Sequence, residues 1–304
     1  MHGFKTSGGT VRYLSLRVSR GSAAFAGKFR RGRTNRAGPD IPLACVMADG
    51  TGIPLRKSSL RGVKGKNGAA KTREVKAGAV FVFSKDSECN PHRNVGTTSY
   101  VATTDRSEKF GKLLRSEFDR RFRGMPGTVL YITDGGRWLH TIHDTQFRFA
   151  VEILDIFHAV EHLKPLLLGL GLNEKTDEWK RKYNAWKKRI QRGRVEGLLK
   201  LLREEYAEKL SGDGLREYNY YKSNAPRMKY DEYRANGWFI GSGVIESACK
   251  TVIGQRFKQS GMNWSLKGAK ALLPLRTLYK SGRLEEFFRY QLRELPQVRC
   301  VSCA

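Results

Sequence analysis

The sequence contains no apolar run as long as the roughly 20 residues that a membrane-spanning helix requires. The nearest, LKPLLLGLGL at 163–172, is interrupted by one proline and two glycines. Cysteine is also scarce: the five cysteines are scattered and odd in number, and no signal peptide is recognisable. We therefore expect a cytoplasmic protein with reduced thiols and no membrane role.

Acidic residues are few for the size of the chain. The 304 residues include 57 lysines and arginines against 29 aspartates and glutamates, so the formal net charge is +28 and the sequence pI is near 10.2. This excess is larger than solubility requires. It favours a polyanion such as DNA or RNA as the partner over a small neutral metabolite. The N-terminal end is strongly basic, since residues 1–76 hold 17 basic and 3 acidic residues.

Composition and periodicity divide the chain into five segments. Residues 1–40 are rich in Gly, Ser and Arg and predict a basic, flexible arm. Strand and helix patterns alternate over 41–173, a purely helical pattern follows over 174–236, further helices occupy 237–290, and 291–304 is a tail. We therefore expect one elaborated α/β domain with an all-α insertion.

Two acidic residues follow apolar, strand-like segments. Asp49 ends LACVMAD and Asp134 ends VLYITD, with a predicted helix between the two segments. The order strand, helix, strand favours a right-handed crossover into a parallel pair, so both carboxylates would meet at the carboxyl edge of the sheet. The alternative for each residue is turn chemistry, because Asp-Gly is a common pair at the end of a strand.

A third apolar segment, FAVEILDIF, predicts a strand that passes into a helix near Asp155, and Asp155 itself suits an N-cap. The next residues, HAVEH, match the H-x-x-E-H pattern, in which His158 and His162 would bind zinc and Glu161 would act as a base. A zinc peptidase is therefore an alternative. Two histidines on a helix face without a metal are the simpler interpretation.

The later helical segments supply a third acidic residue. Glu246 lies near the start of a predicted helix whose N-cap would be Ser242, although a favourable position in the helix dipole would explain it equally. Basic residues here and in the arm are candidate phosphate contacts, and a tryptophan lies among them. The candidate DNA-binding residues are Arg30, Arg31, Arg33, Lys187, Lys188, Arg256, Lys258 and Trp264.

Taken in order, these motifs resemble a known family. The succession of DG, ITDGGRW, ILDIFHAVEHL, a helical insertion, GSGVIESACKTVIGQRFKQSGMNW and GAKALLPLR resembles the ISKra-type insertion-sequence transposases over about residues 41–290. The resemblance implies a DDE enzyme with a ribonuclease H-like mixed sheet, built from 41–173 and 237–290, and a helical insertion before the last catalytic acid. Matched by motif position, the catalytic and metal-binding residues are Asp49, Asp134 and Glu246, with Asp155 and His158 in support.

The resemblance also implies the chemistry and the partners. Two Mg²⁺ ions, for which Mn²⁺ would substitute, would support phosphoryl transfer on DNA, and carboxylates suit this hard ion. Asp49 would bridge the two ions. A homo-oligomer would bind transposon-end DNA and target DNA. The protein would be cytoplasmic in a prokaryote and associated with the nucleoid. Such transposases usually have a longer N-terminal region that recognises element ends, so the resemblance implies a copy shortened at its N-terminus.

Two further functions stay open besides the zinc peptidase. One is another ribonuclease H-like nuclease or resolvase, and the other is a non-catalytic DNA-binding protein, such as a decayed transposase. Strand-transfer products, rather than nicking alone, distinguish a transposase from a nuclease. Metal-dependent cleavage distinguishes either enzyme from a binding protein.

Overall fold

A computed structural model describes residues 43–65, 68–122 and 126–294. The predicted arm at 1–40 lies outside the described residues, and so does the tail from 295 onward. Among the described residues, no helix is long and apolar enough to cross a membrane.

A six-stranded mixed sheet is the centre of the described chain. The strands are β1 (Leu43–Pro54), β2 (Lys64–Gly65), β3 (Gly68–Ala69), β4 (Thr72–Lys85), β5 (Pro91–Arg93), β6 (Ser99–Thr103), β7 (Thr128–Thr133) and β8 (Val151–Leu154). In the sheet β4, β1, β7 and β8 lie side by side, and β5 and β6 both pair with β4, while β2 and β3 form a separate hairpin. β1 is antiparallel to β4 and parallel to β7, and β7 is parallel to β8. The predicted parallel pairing of the segments that carry Asp49 and Asp134 is confirmed.

Helices flank the sheet and fill the second half of the chain. They are α1 (Ser107–Arg121), α2 (Arg137–Gln146), α3 (Ile156–Glu161), α4 (Leu163–Gly169), α5 (Asp177–Gln191), α6 (Val195–Glu205), α7 (Gly212–Asn224), α8 (Tyr230–Ala235), α9 (Gly243–Ala248), α10 (Gln255–Phe257), α11 (Leu266–Lys280) and α12 (Leu284–Glu294). A π-helical turn, Cys249–Gly254, joins α9 to α10. The described chain is therefore an α/β structure in which helices cover a mixed sheet.

The two faces of the sheet bury different partners, as the alternation of side chains along β1 shows. Ala44, Val46 and Ala48 pack with α1 and α2 on one face, which we call the α1 face. Cys45 and Met47 pack on the opposite face with α3, α4, the insertion helices and α9, and we call this the insertion face. Because successive side chains alternate, both faces of β1 are buried and its sequence is a nearly continuous apolar run.

Helices α5 to α8 form the insertion, which packs internally through aromatic side chains and contacts β8 through Tyr230, whose hydroxyl donates to the Leu154 carbonyl at 3.0 Å. Trp186 and Ile190 of α5 are buried, and the ring of Trp186 meets that of Tyr206 edge to face at 5.8 Å between centroids. Trp179 and Tyr183 of the same helix are half-buried and pack against this core, so the aromatic stripe at helical spacing on α5 is core. The close contact of α4 with α7 occurs at two glycines, since a Cβ on Gly169 would lie 2.3 Å from the backbone nitrogen of Gly214.

Candidate functional site

Three aspartates lie in register across the carboxyl edge of the sheet. Met47 of β1 pairs with Ile132 of β7, so two residues further on Asp49 stands beside Asp134. Thr133 pairs with Leu154 of β8, so Asp134 stands beside Asp155. Neighbouring strands are about 4.8 Å apart, so Asp49 within β1 and the residues that directly follow β7 and β8, Asp134 and Asp155, lie side by side at this edge.

Asp49 lies inside a strand and not at its end. β1 continues through Gly50 to Pro54 and pairs there with β4 alone. The expectation that Asp49 terminates its strand is wrong, because the long antiparallel strand β4 supplies hydrogen-bond partners after β7 has ended. The Asp49 side chain has the same parity as Cys45 and Met47, so it projects from the insertion face.

The Asp49 carboxylate is half-buried and has two protein donors. Its Oδ1 accepts a hydrogen bond from the Gly50 N–H at 2.6 Å, and its Oδ2 accepts one from the Cys249 thiol at 3.5 Å. Burial raises the pKa of Asp49 above its ordinary value, and the charge of Asp134 raises it further, whereas the two donors and His158 lower it. Asp49 is thus in electrostatic contact with Asp134 and His158.

Asp134 follows the last residue of β7 and makes a local turn. Its Oδ1 accepts a hydrogen bond from the Gly136 N–H at 2.8 Å, and Gly135 has a φ of +81°, a conformation that glycine adopts without steric cost. The Asp-Gly turn chemistry expected as an alternative is therefore present at Asp134. This turn uses one oxygen of the Asp134 carboxylate and holds Asp134 at the carboxyl edge of the sheet.

Asp155 is fully buried and acts as a structural anchor. Its Oδ1 accepts hydrogen bonds from the N–H groups of Phe157 (2.7 Å) and His158 (2.9 Å), which confirms the expected N-cap of α3. Its Oδ2 accepts a hydrogen bond from the Ser242 N–H, ahead of α9. Asp155 therefore joins the start of α3 to the segment that leads to Glu246, and both of its oxygens are engaged by backbone donors.

Glu246 reaches the site from α9. Ser242 precedes this helix as expected, but its side chain does not cap it; the Ser242 hydroxyl donates to Oε1 of Glu246 at 3.0 Å instead. One turn further on, Cys249 contacts Asp49. Burial raises the pKa of the Cys249 thiol to about 12, with further contributions from the charges of Asp49 and Glu246. Cys249 therefore lies close enough to both Asp49 and Glu246 for each charge to act on its thiol.

The π-helical turn after α9 lies at this contact. It begins at Cys249, whose side chain is buried, and it presents Val252 and Ile253 to the core as well. An extra residue in a helical turn shifts the faces of the helix that follow it, and such turns are frequent at functional sites. The periodic apolar pattern of this segment predicted a regular α-helix and gave no sign of the wider turn.

His158 and His162 face different partners. Nδ1 of His158 lies 3.1 Å from the exposed Glu161 carboxylate. Nδ1 of His162 lies 2.6 Å from Glu217 of α7, and its ring stacks on Tyr220 at 3.5 Å between centroids. These two histidines do not belong to a three-ligand metal cluster within the described residues. HAVEH therefore serves as a junction between α3 and the insertion.

The candidate DNA contacts are distributed over several elements. Lys188 and Lys258 are exposed, and Lys187 is half-buried on α5. Nζ of Lys258 lies 2.5 Å from the Thr51 hydroxyl, two residues beyond Asp49. Arg30, Arg31 and Arg33 lie outside the described residues.

Trp264 packs against neighbouring residues and also contacts a candidate DNA-binding arginine. Its indole N–H donates to the Phe257 carbonyl at 3.2 Å, and the guanidinium of Arg256 lies 4.8 Å from its ring centroid. Trp264 also forms a β-bridge with Leu55 just beyond β1. Arg256 and Trp264 are therefore held next to the extension of the strand that carries Asp49.

Sequence reasoning missed a second polar cluster. His140 and His143 of α2 and Glu152 of β8 have potential ligand atoms within 4.8 Å of one another, and they are the one group of this kind in the described parts of the chain. Asp49, Asp134 and Glu246 do not form such a compact, one-ion group, and a site for two ions is wider. The H-x-x-H spacing at 140–143 was the available signal for the second cluster.

Comparison of the chain with protein-family models and with curated proteins finds no match in either. The function is therefore argued from the fold and from the side chains at the carboxyl edge of the sheet.

Proposed function

We propose that this protein is a DDE transposase with a ribonuclease H-like core, which cleaves and joins DNA with the help of two divalent cations. The mixed α/β sheet and the helical insertion ahead of Glu246 support this proposal, because the resemblance to ISKra-type transposases implies both features. The register that aligns Asp49 with Asp134 supports it further.

One observation carries the proposal. Asp49, Asp134 and Glu246 are half-buried, and within the described residues none of them forms an ion pair with a lysine or arginine, although the whole chain carries a net charge of +28. Burial raises the pKa of Asp49, and the charge of Asp134 raises it further, so the ionised form of Asp49 is disfavoured in this site. Divalent cations with oxygen preference, such as Mg²⁺, would stabilise the ionised form.

Each side chain then has a defined task. Asp49 and Asp134 hold the metal ions from adjacent strands, and Glu246 completes the ligand set from α9. When bound, the ions supply charge neutralisation and nucleophile activation at the phosphodiester. Asp155 accepts a hydrogen bond from the Ser242 N–H, and the Ser242 hydroxyl donates one to Glu246. Asp155 therefore orients the Glu246 side chain through Ser242.

The basic surface next to this edge suits a DNA strand. Lys258 sits beside Thr51, and Arg256 stacks on Trp264 near the end of the same strand. Lysine and arginine neutralise phosphates without reading sequence. DNA bound along these residues would pass the carboxylates on the insertion side of the sheet.

A cleavage and strand-transfer assay tests the proposal. The full-length protein is incubated with labelled duplexes taken from either side of its gene, with Mg²⁺ or Mn²⁺, and both nicked and joined products are measured. Asp134→Asn should abolish both products and leave DNA binding nearly unchanged, because it removes a metal ligand and no basic residue. Asp177→Asn, at an exposed position on α5, is the matched control and should behave as wild type.

The outcomes separate the candidate functions. Joined products that depend on Asp134 support a transposase. Metal-dependent nicks without joining indicate a nuclease or resolvase. DNA binding without any cleavage by the wild-type protein indicates a non-catalytic binder and overturns the proposal.

A further inference from the structure

The cluster of His140, His143 and Glu152 lies apart from the three aspartates at the carboxyl edge. Glu152 precedes Asp155 by three residues on β8, a distance of roughly 10 Å along a strand. Glu152 is nearly buried, His143 is mostly buried and His140 is half-exposed, so one side of the cluster is open to solvent. The rings of the two histidines are almost parallel, with an interplanar angle of 7°.

The hydrogen bonds around His143 direct the lone pair of its Nδ1 atom towards carboxylate oxygens, which are themselves hydrogen-bond acceptors. Its Nε2 lies 3.0 Å from the Ala150 carbonyl, which can only accept, so Nε2 carries the proton in the neutral ring and Nδ1 bears a lone pair. Nδ1 faces Oε2 of Glu152 at 3.7 Å and Oδ1 of Asp144 at 3.2 Å. Arg227 pairs with Glu152, but the Nδ1 lone pair and the Asp144 carboxylate still face each other, an arrangement that a shared cation would stabilise.

Hydrogen bonds to residues outside the cluster also fix the orientation of Glu152 and His143. Oε1 of Glu152 accepts a hydrogen bond from Arg227 at 2.9 Å. Nδ1 of His140 lies 3.1 Å from Oε1 and 3.0 Å from Oε2, and Oε2 is the oxygen that also faces His143. The Ala150 carbonyl fixes the ring of His143 in the same way. Such outer partners, which orient a ligand and leave one lone pair for the ion, are typical of histidine metal sites.

The distances suit a tetrahedral ion with bonds of about 2.0–2.1 Å, whose ligand atoms are about 3.3 Å apart. The separations from Glu152 Oε2 to the two histidine nitrogens are 3.0 and 3.7 Å. Imidazole with carboxylate favours Zn²⁺ and its neighbours over Mg²⁺, which prefers six oxygens.

We propose that His140, His143 and Glu152 form a transition-metal site of the Zn²⁺ class, separate from the carboxylates at the sheet edge. The ion would join α2 to β8. Through Arg227, which follows α7, it would also connect the core to the helical insertion. The role of the ion is structural, because it holds together α2, which precedes β8 in the chain, β8 itself, and the segment with Arg227, which follows β8.

Metal titration of the full-length, metal-stripped protein tests this site. Wild type should bind one Zn²⁺ with micromolar or tighter affinity, show d–d absorption with Co²⁺, and unfold at a higher temperature when Zn²⁺ is present. Glu152→Gln and His143→Gln should each weaken Zn²⁺ binding at least tenfold while retaining a native far-UV circular dichroism spectrum. His162→Gln is the matched control and should bind as wild type, and excess Mg²⁺ should not compete.

Two results would overturn the proposal. One is the absence of Zn²⁺ and Co²⁺ binding by wild type, which would mean that a proton on His143 balances the carboxylates. The other is binding that survives His143→Gln but is lost in His162→Gln, which would place the ion at HAVEH.

A second, independent observation concerns Tyr220 of α7. Its hydroxyl is buried and has no hydrogen-bond partner among the described residues, although a buried donor without a partner is destabilising. The hydroxyl lies 3.6 Å from the position that a Cβ on Gly135 would occupy, directly after Asp134. The ring is held in place by stacking on His162, which in turn contacts Glu217.

We infer that Tyr220 is a positioning residue whose hydroxyl donates to the Asp134 carboxylate when that carboxylate binds a metal ion. This inference rests on the proposed function. Asp134 uses Oδ1 in its local turn, which leaves Oδ2 as the acceptor for the Tyr220 hydroxyl. A partner of this kind typically changes metal affinity 10- to 100-fold.

Two neighbouring tyrosines make a matched pair for the test. Tyr220→Phe removes a hydroxyl without a partner, so the unfolding temperature should not fall, while the Mg²⁺ concentration for half-maximal cleavage should rise at least tenfold. Tyr221→Phe removes a hydroxyl that donates to the Ala159 carbonyl at 2.7 Å, so it should lower stability and leave the Mg²⁺ requirement unchanged.

The failures are distinguishable. If wild type cleaves with Mg²⁺ and Tyr220→Phe has the same Mg²⁺ requirement, the inference about Tyr220 is wrong and the proposed function stands. If wild type shows no Mg²⁺-dependent cleavage, the proposed function fails first, and the inference falls with it.

Discussion

Asp155 and Asp134 are adjacent in register, yet their surroundings give them different tasks. Asp155 is buried and both of its oxygens accept backbone hydrogen bonds, so it has no lone pair directed at solvent for a ligand. Asp134 is half-buried and engages a single oxygen in its turn. The same residue type thus acts as an anchor in one position and as a candidate ligand in the next.

The raised pKa of Asp49 makes a prediction about stability. Its ordinary value is 3.8, and the folded protein holds the proton more tightly than the unfolded chain does. The stabilising contribution of the protonated Asp49 carboxyl group to the folded state is therefore present at low pH, and it is lost as the pH rises above 3.8 through the folded-state pKa. Asp49→Asn should match wild type near pH 3.5 and be more stable than wild type at pH 7 without metal.

Chemical unfolding at several pH values measures this difference. Adding Mg²⁺ at pH 7 should reverse the order, because only wild type keeps the ligand. A stability difference that stays constant from pH 3.5 to 7 would contradict the assignment of the Asp49 charge as the cause.

Glu161 provides a prediction against the peptidase alternative. Its side chain is 69% exposed and, among the described residues, forms its ion pair with His158, so Glu161→Gln should change DNA cleavage less than about twofold, as surface substitutions usually do. In a zinc peptidase of the H-x-x-E-H type, the same substitution removes the general base. Loss of cleavage in Glu161→Gln, at unchanged stability, would count against the transposase proposal.

At the scale of elements, the position of the insertion depends on a close helix crossing. α4 extends from the segment after Asp155, and α7 carries Glu217, Tyr220 and Tyr221 towards the site. The two helices approach at Gly169 and Gly214, where a Cβ has no room. This crossing fixes the distance between the insertion and the carboxyl edge.

Gly169→Ala should therefore destabilise the protein by about 1–3 kcal/mol, the usual cost of overpacking. Gly197→Ala is the control, because it lies in α6 with its nearest neighbour 3.9 Å away and should gain up to about 1 kcal/mol from helix propensity. Thermal unfolding of the two variants decides the matter. Equal effects in both would mean that α4 and α7 do not touch at Gly169.

At the scale of the whole molecule, the net charge of +28 dominates the expected behaviour. Phosphate contacts release counterions, so DNA affinity should fall steeply with salt. Exposed lysines beside the site, such as Lys258, would contribute to this dependence together with the arm.

The salt dependence gives a prediction for the arm. Replacing the four basic residues of KFRRGR at 28–33 by alanine should flatten the slope of log affinity against log salt by up to about 3.6, since each phosphate contact contributes about 0.9. Fluorescence anisotropy over a range of salt concentrations measures the slope. An unchanged slope would show that these charges remain solvated when DNA is bound.

The sequence by itself determined the local features of this protein. Strand and helix periodicity and the N-cap at Asp155 depend on residues that are near one another in the chain, and the local pattern reports them directly. The aromatic stripe of α5 was assignable to the core for the same reason. The parallel pairing of β1 with β7 was predictable from the order strand, helix, strand, because such crossovers follow a general rule. Charge composition required no structure at all.

Only the tertiary structure decided how distant segments meet. β1 continues past Asp49 because β4, which lies further along the chain, pairs with it there. Cys249 contacts Asp49 across 200 residues of sequence, and the π-helical turn that helps to form this contact left no mark on the apolar pattern. Glu152 meets His143 and Arg227 only after β8, α2 and the insertion have packed. Such contacts depend on strand register and helix packing, which the residues of a single segment do not encode.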